Sequence, residues 1–268
     1  MLILFIVIFV LATLAQTIHT SSYAARLAGV RTGQPTLAQS LYNVLTLGSR
    51  TAGLVLGPLL ASITDIAVAE QNTATLLVVY RVLLLAATMG TLVAGLLTPT
   101  LSRVLARGVD SYGKRHSMPR VVVHAASVQG LWNIRHELTP PRLQVIRQSR
   151  RSPFPKYFLL ASITATAIST VSSAAAMYAS ALAPHAPRTA ASLSPLLAGG
   201  GLLLTIFIIN PIAAQVVDGA LQGRRPLKDV TYITVWQVSA QLLGTLVAQI
   251  LLQPTAWVMV VITHWLVA

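Results

Sequence analysis

One cation stands in the middle of a long uncharged run: from Leu37 to Ile63, Arg50 is the sole charged residue. A guanidinium makes and breaks no bonds. What it does well is hold carboxylate or phosphate oxygens two at a time in a planar fork, so the chemistry it suggests is recognition of an anion. Steps of four and three place Gln39, Asn43, Thr46, Arg50, Gly53 and Gly57 on one helical face, with Leu41, Leu45, Val55 and Leu59 on the others. Asn43 and Thr46 add amide and hydroxyl groups that both donate and accept. An arginine at the centre of a membrane-spanning helix costs about 2.5 to 3.5 kcal/mol on insertion scales, and its face therefore turns to protein or water. Two readings follow. Either Arg50 caps carbonyls or pairs with an acid inside a bundle, or it marks a site for an anionic group.

Holding such a face in place requires a membrane fold. Of 268 residues, 54% are hydrophobic and 9% charged, and the mean hydropathy is +0.71, far above soluble globular chains. The expected class is all-α, a polytopic helix bundle with spans at about 1–25, 37–63, 76–97, 157–181, 193–217 and 230–252. Residues 98–156 form a basic cytoplasmic loop, and 254–268, beginning at Pro254, are too short for a span and read as an interfacial or re-entrant tail. The run 1–18 has its bases, Arg26 and Arg31, after the apolar stretch and no A-x-A site, so it reads as a span and not as a cleaved signal.

The net charge of +13 would suggest nucleic acid in a soluble protein. Here the bases fall in loops, without the interleaved aromatic residues of nucleic-acid surfaces. Apart from Arg50, Arg81 and Arg188, every base lies in a segment assigned to the cytoplasmic side, next to anionic lipid. That bias puts both termini outside. Arg81 lies little more than a turn from the outer end of the third span, close enough to reach headgroups or to pair with Asp65.

Polar stripes recur. Gln16, His19, Tyr23 and Arg26 share a face of the first helix, and Thr234, Gln237, Gln241 and Gly244 one of the sixth. His19 reads as a hydrogen-bonded interior histidine. The fourth span is rich in Ala, Ser and Thr, a composition for close packing. The fifth, with Gly199–Gly201 and the Asn210-Pro211 pair, is expected to kink or unwind.

Catalytic and cofactor motifs fail in turn. Cysteine is absent, which excludes disulfides and thiolate chemistry. Gly108 to Lys114 satisfies G-x-x-x-x-G-K, but Arg115 stands where magnesium binding needs Ser or Thr. His136-Glu137 lacks the second histidine of a zinc helix, Pro140 taking its place. No serine sits in a G-x-S-x-G elbow. No cofactor or metal is expected, and the chain reads as a transporter or binding protein instead of an enzyme.

Tyr23-Ala24-Ala25-Arg26-Leu27-Ala28-Gly29-Val30-Arg31-Thr32, Ser40-Leu41-Tyr42-Asn43 and Ser49-Arg50-Thr51, with 193–218 more loosely, resemble the Amj family of lipid II flippases, bacterial membrane proteins that can stand in for MurJ in cell-wall synthesis. The resemblance implies a substrate: the undecaprenyl-diphosphate-linked disaccharide pentapeptide, moved from the inner to the outer leaflet. It carries over no list of functional residues. Combined with it, the residues place the diphosphate on Arg50, with Arg26 and Arg31 attracting it at a basic entrance turn and Asn43 and Thr46 meeting sugar hydroxyls. Gly53 and Gly57 leave room beside Arg50, and Arg81 with Asp65 forms a structural ion pair. Anionic membrane lipids are the other expected partner, and nucleic acid is not one. The alternatives are a transporter for another amphiphile or ion, which would also need a polar cavity, and a non-transporting scaffold for cell-wall enzymes, which would be a sealed bundle with paired arginines.

Overall fold

A computed structural model describes residues 2–115, 143–150, 152 and 154–267. Most of the long basic loop lies outside these, including the His136-Glu137 pair. The described chain is helical and has no strand. Helices α1 (Leu2–Ser21) and α2 (Ala24–Thr32) make the first span, α3 (Pro35–Ala69) the second and α4 (Thr73–Arg115) the third. A short α5 (Leu143–Ser149) precedes α6 (Lys156–Leu182), the fourth span. The fifth is built from α7 (Pro187–Ser192), α8 (Ser194–Leu204), a π-helical segment (Thr205–Ile209) and α9 (Asn210–Leu221). Helix α10 (Lys228–Val267) is the sixth. Six helical stretches are long and apolar enough to cross a bilayer, which makes this a multi-pass membrane protein.

Several elements differ from what the sequence suggests. The basic turn expected after Arg26 is helix α2, which ends at Gly33 in the left-handed conformation (φ 67°), as glycine allows without strain. Pro35 then opens α3 at its first turn. Gly108 to Lys114 continue α4, so no phosphate-cradling loop forms. Pro254 does not end the sixth helix, because α10 runs through it for 40 residues, about 60 Å, with no reversal to make the tail re-entrant. Pro58 and Pro99 also sit inside helices. Hydroxyls bond to the carbonyls of both prolines: Ser102 donates to that of Pro99 at 2.8 Å and Ser62 to that of Pro58 at 3.0 Å.

Packing places the spans in an open ring. The fifth span lies on α6, α6 on α10, α10 on α4, α4 on α1 and α1 on α3. Helix α3 touches α6, but among the described residues it has no extensive packing on α8, the π segment or α9. The ring is therefore left open between the second and fifth spans. At the end carrying the α3–α4 turn, Leu60, Ile63, Leu76, Tyr80, Leu84, Val171, Leu252 and Met259 build a dry apolar cluster. A second cluster, around Phe158, Val216 and Ile233, lies toward the basic end. Between the two, polar side chains collect.

Candidate functional site

Three polar helical stripes meet in a cavity of about 820 Å³. The first helix contributes Gln16, His19 and Tyr23, the second Asn43, Thr46 and Arg50, and the sixth Gln237 and Gln241. These are the stripes legible in the sequence, converging because each helix turns its polar face away from hydrocarbon. The fourth helix supplies a stripe that sequence reading missed, Ser162, Thr166 and Ser169. Its signal was present, since the three recur at steps of four and three, but small hydroxyls in an Ala-rich helix also serve close packing. The fifth span completes the wall with Gly199, Thr205 and Asn210.

Arg50 is exposed within this cavity. Among the described residues its side chain has no hydrogen bond or ion pair, so it neither caps a carbonyl nor neutralises an acid there. Among the described residues no carboxylate lines the cavity. Asn43 Oδ1 accepts a hydrogen bond from Gln39 Nε2 at 3.2 Å, and the Thr46 hydroxyl donates to the Tyr42 carbonyl at 2.9 Å. Both keep acceptor capacity toward the cavity. Gly53 and Gly57 lie farther along α3 and do not line it. A Cβ at either would meet nothing within 4 Å. His19, expected to be hydrogen-bonded, instead sets its ring edge against Tyr23, centroids 5.9 Å apart. Tyr23 in turn donates to Gln241 Oε1 at 3.2 Å, which also accepts from Thr166 at 2.8 Å.

Arg26 is not at an open entrance. It is 6% exposed, donating from Nη1 to Gln237 Oε1 at 2.8 Å and from Nη2 to Asn210 Oδ1 at 3.0 Å, with its guanidinium 4.9 Å from the Tyr42 ring centre. It also lines a second cavity of about 450 Å³ toward the basic end, with Gln39, Ser40, Asn43, Asn210 and Asp218. Arg31 goes elsewhere. Five helical positions beyond Arg26, it is rotated by about 140° and faces α4, where Nη1 donates to Ser102 at 2.9 Å. Neither cavity is lined by it.

The expected ion pair of Arg81 with Asp65 is not formed among the described residues. Arg81 donates instead to Gln253 Oε1 at 3.4 Å, while Gln249 donates to its carbonyl at 3.0 Å. Both charged side chains are exposed, and at such positions solvation competes evenly with pairing. Arg81→Ala is therefore expected to change stability by less than about 0.5 kcal/mol, read as the unfolding midpoint in detergent. A larger loss would show a structural anchor.

The Amj family, described as "Alternate to MurJ", matches residues 11–263. The chain belongs to the Amj family. One curated Amj protein, "Lipid II flippase Amj" of Bacillus subtilis (strain 168), is 29% identical over 264 residues, covering 98% of this chain and 97% of its own length. No solved structure matches. The Amj match spans all six helices, so both cavities lie wholly within the shared region.

Proposed function

We propose that this protein is a lipid II flippase that moves the undecaprenyl-diphosphate-linked peptidoglycan precursor from the cytoplasmic to the outer leaflet of the bacterial cell membrane. The observation that carries the reading is the 820 Å³ cavity, which holds a cation with no bonded partner among the described residues and no carboxylate. A sugar and diphosphate headgroup needs such a lining, because its donors and acceptors find no partners in hydrocarbon. The incomplete ring supports the reading as well. Between α3 and the fifth span a polyprenyl tail stays in lipid while the headgroup travels inside. A sealed scaffold would need neither feature.

Arg50 binds the diphosphate in this account, with Asn43 and Thr46 on sugar hydroxyls and Arg26 toward the cytoplasmic side. Arg31 serves packing on α4. Both termini face outward, and the basic segments sit on anionic lipid at the cytoplasmic surface. Moving negative charge outward gains about 2.3 kcal/mol per charge per 100 mV of membrane potential. In bacteria depleted of every other lipid II flippase, the wild-type chain is expected to sustain growth and lipid II in the outer leaflet. Lysis at normal protein levels would overturn the assignment.

A further inference from the structure

We infer that Arg26 is a latch on the passage, opened when a diphosphate displaces Asn210 and Gln237 from its guanidinium; the inference rests on the transport reading above. A buried guanidinium is normally matched by an anion, since an uncompensated charge out of water is costly. Arg26 is buried, yet its hydrogen bonds run to two neutral amide oxygens, and among the described residues no carboxylate forms an ion pair with it. Phosphate oxygens make shorter and stronger bonds to a guanidinium than amides do. The resting partners are therefore exchangeable.

Gln237 provides a second, independent sign. It is 2% exposed, its Oε1 is taken by Arg26, and its Nε2 has no partner among the described residues. A buried donor left unmet beside a cation left uncompensated asks for the same thing, an anionic oxygen. The position of this layer gives it a role. Asn43 and Asn210 line both cavities, and Arg26 lies where the smaller, basic-end cavity meets the larger one holding Arg50. Among the described residues that line the smaller cavity Arg26 is the one cation, with the Asp218 carboxylate toward the basic end, so Arg26 is the first positive charge that an anion entering from that end meets.

Release of Asn210 has a mechanical consequence. It is the first residue of α9, it follows the π segment directly, and Pro211 after it lacks an amide hydrogen. The fifth span is thus poorly bonded at the point where Arg26 ties it to the first and sixth. When the diphosphate takes the guanidinium, α9 swings from α2 at this point, the two cavities join, and the headgroup passes on to Arg50.

The chain has no cysteine, so Gln39→Cys on α3 and Ala214→Cys on α9, both lining the smaller cavity, can be spin-labelled without background. Undecaprenyl diphosphate is expected to move the label distance to longer values, and undecaprenol is not. In Asn210→Ala, which removes one strut and leaves the buried charge held by Gln237, the longer population is expected before any lipid is added and the response is lost. Arg26→Gln is expected to behave alike. An unchanged distance with bound undecaprenyl diphosphate, or wild-type behaviour of Asn210→Ala, would overturn the latch. A response to inorganic pyrophosphate but none to the lipid would assign the site to a free anion and overturn it too. Lipid II transport by the same labelled protein separates the two claims: transport without a distance response removes the latch alone, and a distance response without transport removes the flippase reading while retaining a diphosphate site.

Discussion

Arg50→Ala is expected to insert and fold normally and to lose lipid II transport by about one to two orders of magnitude. The fold should be indifferent because Arg50 is exposed in the cavity and, among the described residues, has no hydrogen bond or ion pair to lose; stability is expected to stay within about 0.5 kcal/mol. Binding should not be indifferent. A charge-assisted contact to phosphate contributes about 1.5 to 3 kcal/mol, and each 1.4 kcal/mol is tenfold in affinity. Arg50→Lys keeps the charge but loses the fork that engages two oxygens together, and is expected to fall at least tenfold. Transport assays on equal amounts of inserted protein decide this. Full activity of Arg50→Ala would reduce the residue to a surface cation and move the site elsewhere.

The second large effect concerns glycines, and its sign differs between positions. A Cβ at Gly244 would lie 2.5 Å from Thr166 Cβ and 2.9 Å from the Ile163 carbonyl, where α10 crosses α6. At Gly90 it would run into the Thr13 carbonyl, where α4 crosses α1. Backbone atoms cannot step aside cheaply, so Gly244→Ala and Gly90→Ala are each expected to cost about 1 to 3 kcal/mol, with larger residues costing more. Gly53→Ala and Gly57→Ala meet nothing within 4 Å, and are expected to be neutral or to stabilise by up to about 1 kcal/mol through helix propensity. Unfolding midpoints of the four variants in one detergent test the contrast. Equal losses at Gly53 and Gly244 would mean that α3 packs against something beyond this chain.

These expectations indicate which parts of the molecule were readable in advance. The convergence of Gln16, Asn43, Arg50, Gln237 and Gln241 was legible, because a polar face on an apolar helix has nowhere else to go. The state of Arg26 was not. Gly29 and Gly33 around it look like turn residues, yet Gly29 lies close to Ala38 and Pro35, where a Cβ would sit 2.7 Å from Ala38 Cβ, so it serves helix packing within α2. Its partners Gln237 and Asn210 lie more than 180 positions away, and only the fold brings them together. The fourth-helix hydroxyls were overlooked for a related reason, since one composition serves both packing and a cavity wall. Pro254 misled the end of the sixth helix because proline is judged by its cost in water. In a membrane bundle, neighbouring helices and hydroxyl groups satisfy the backbone it frees.

The flippase account stands or falls most directly on translocation by the protein alone. Purified chain reconstituted into vesicles carrying lipid II, with a membrane potential positive outside, is expected to expose the headgroup on the outer leaflet faster than protein-free vesicles do. Vesicles holding the same amount of folded Arg50→Ala are expected to remain at the protein-free rate. A wild-type rate no different from protein-free vesicles, with the protein shown to be folded and inserted, would contradict it.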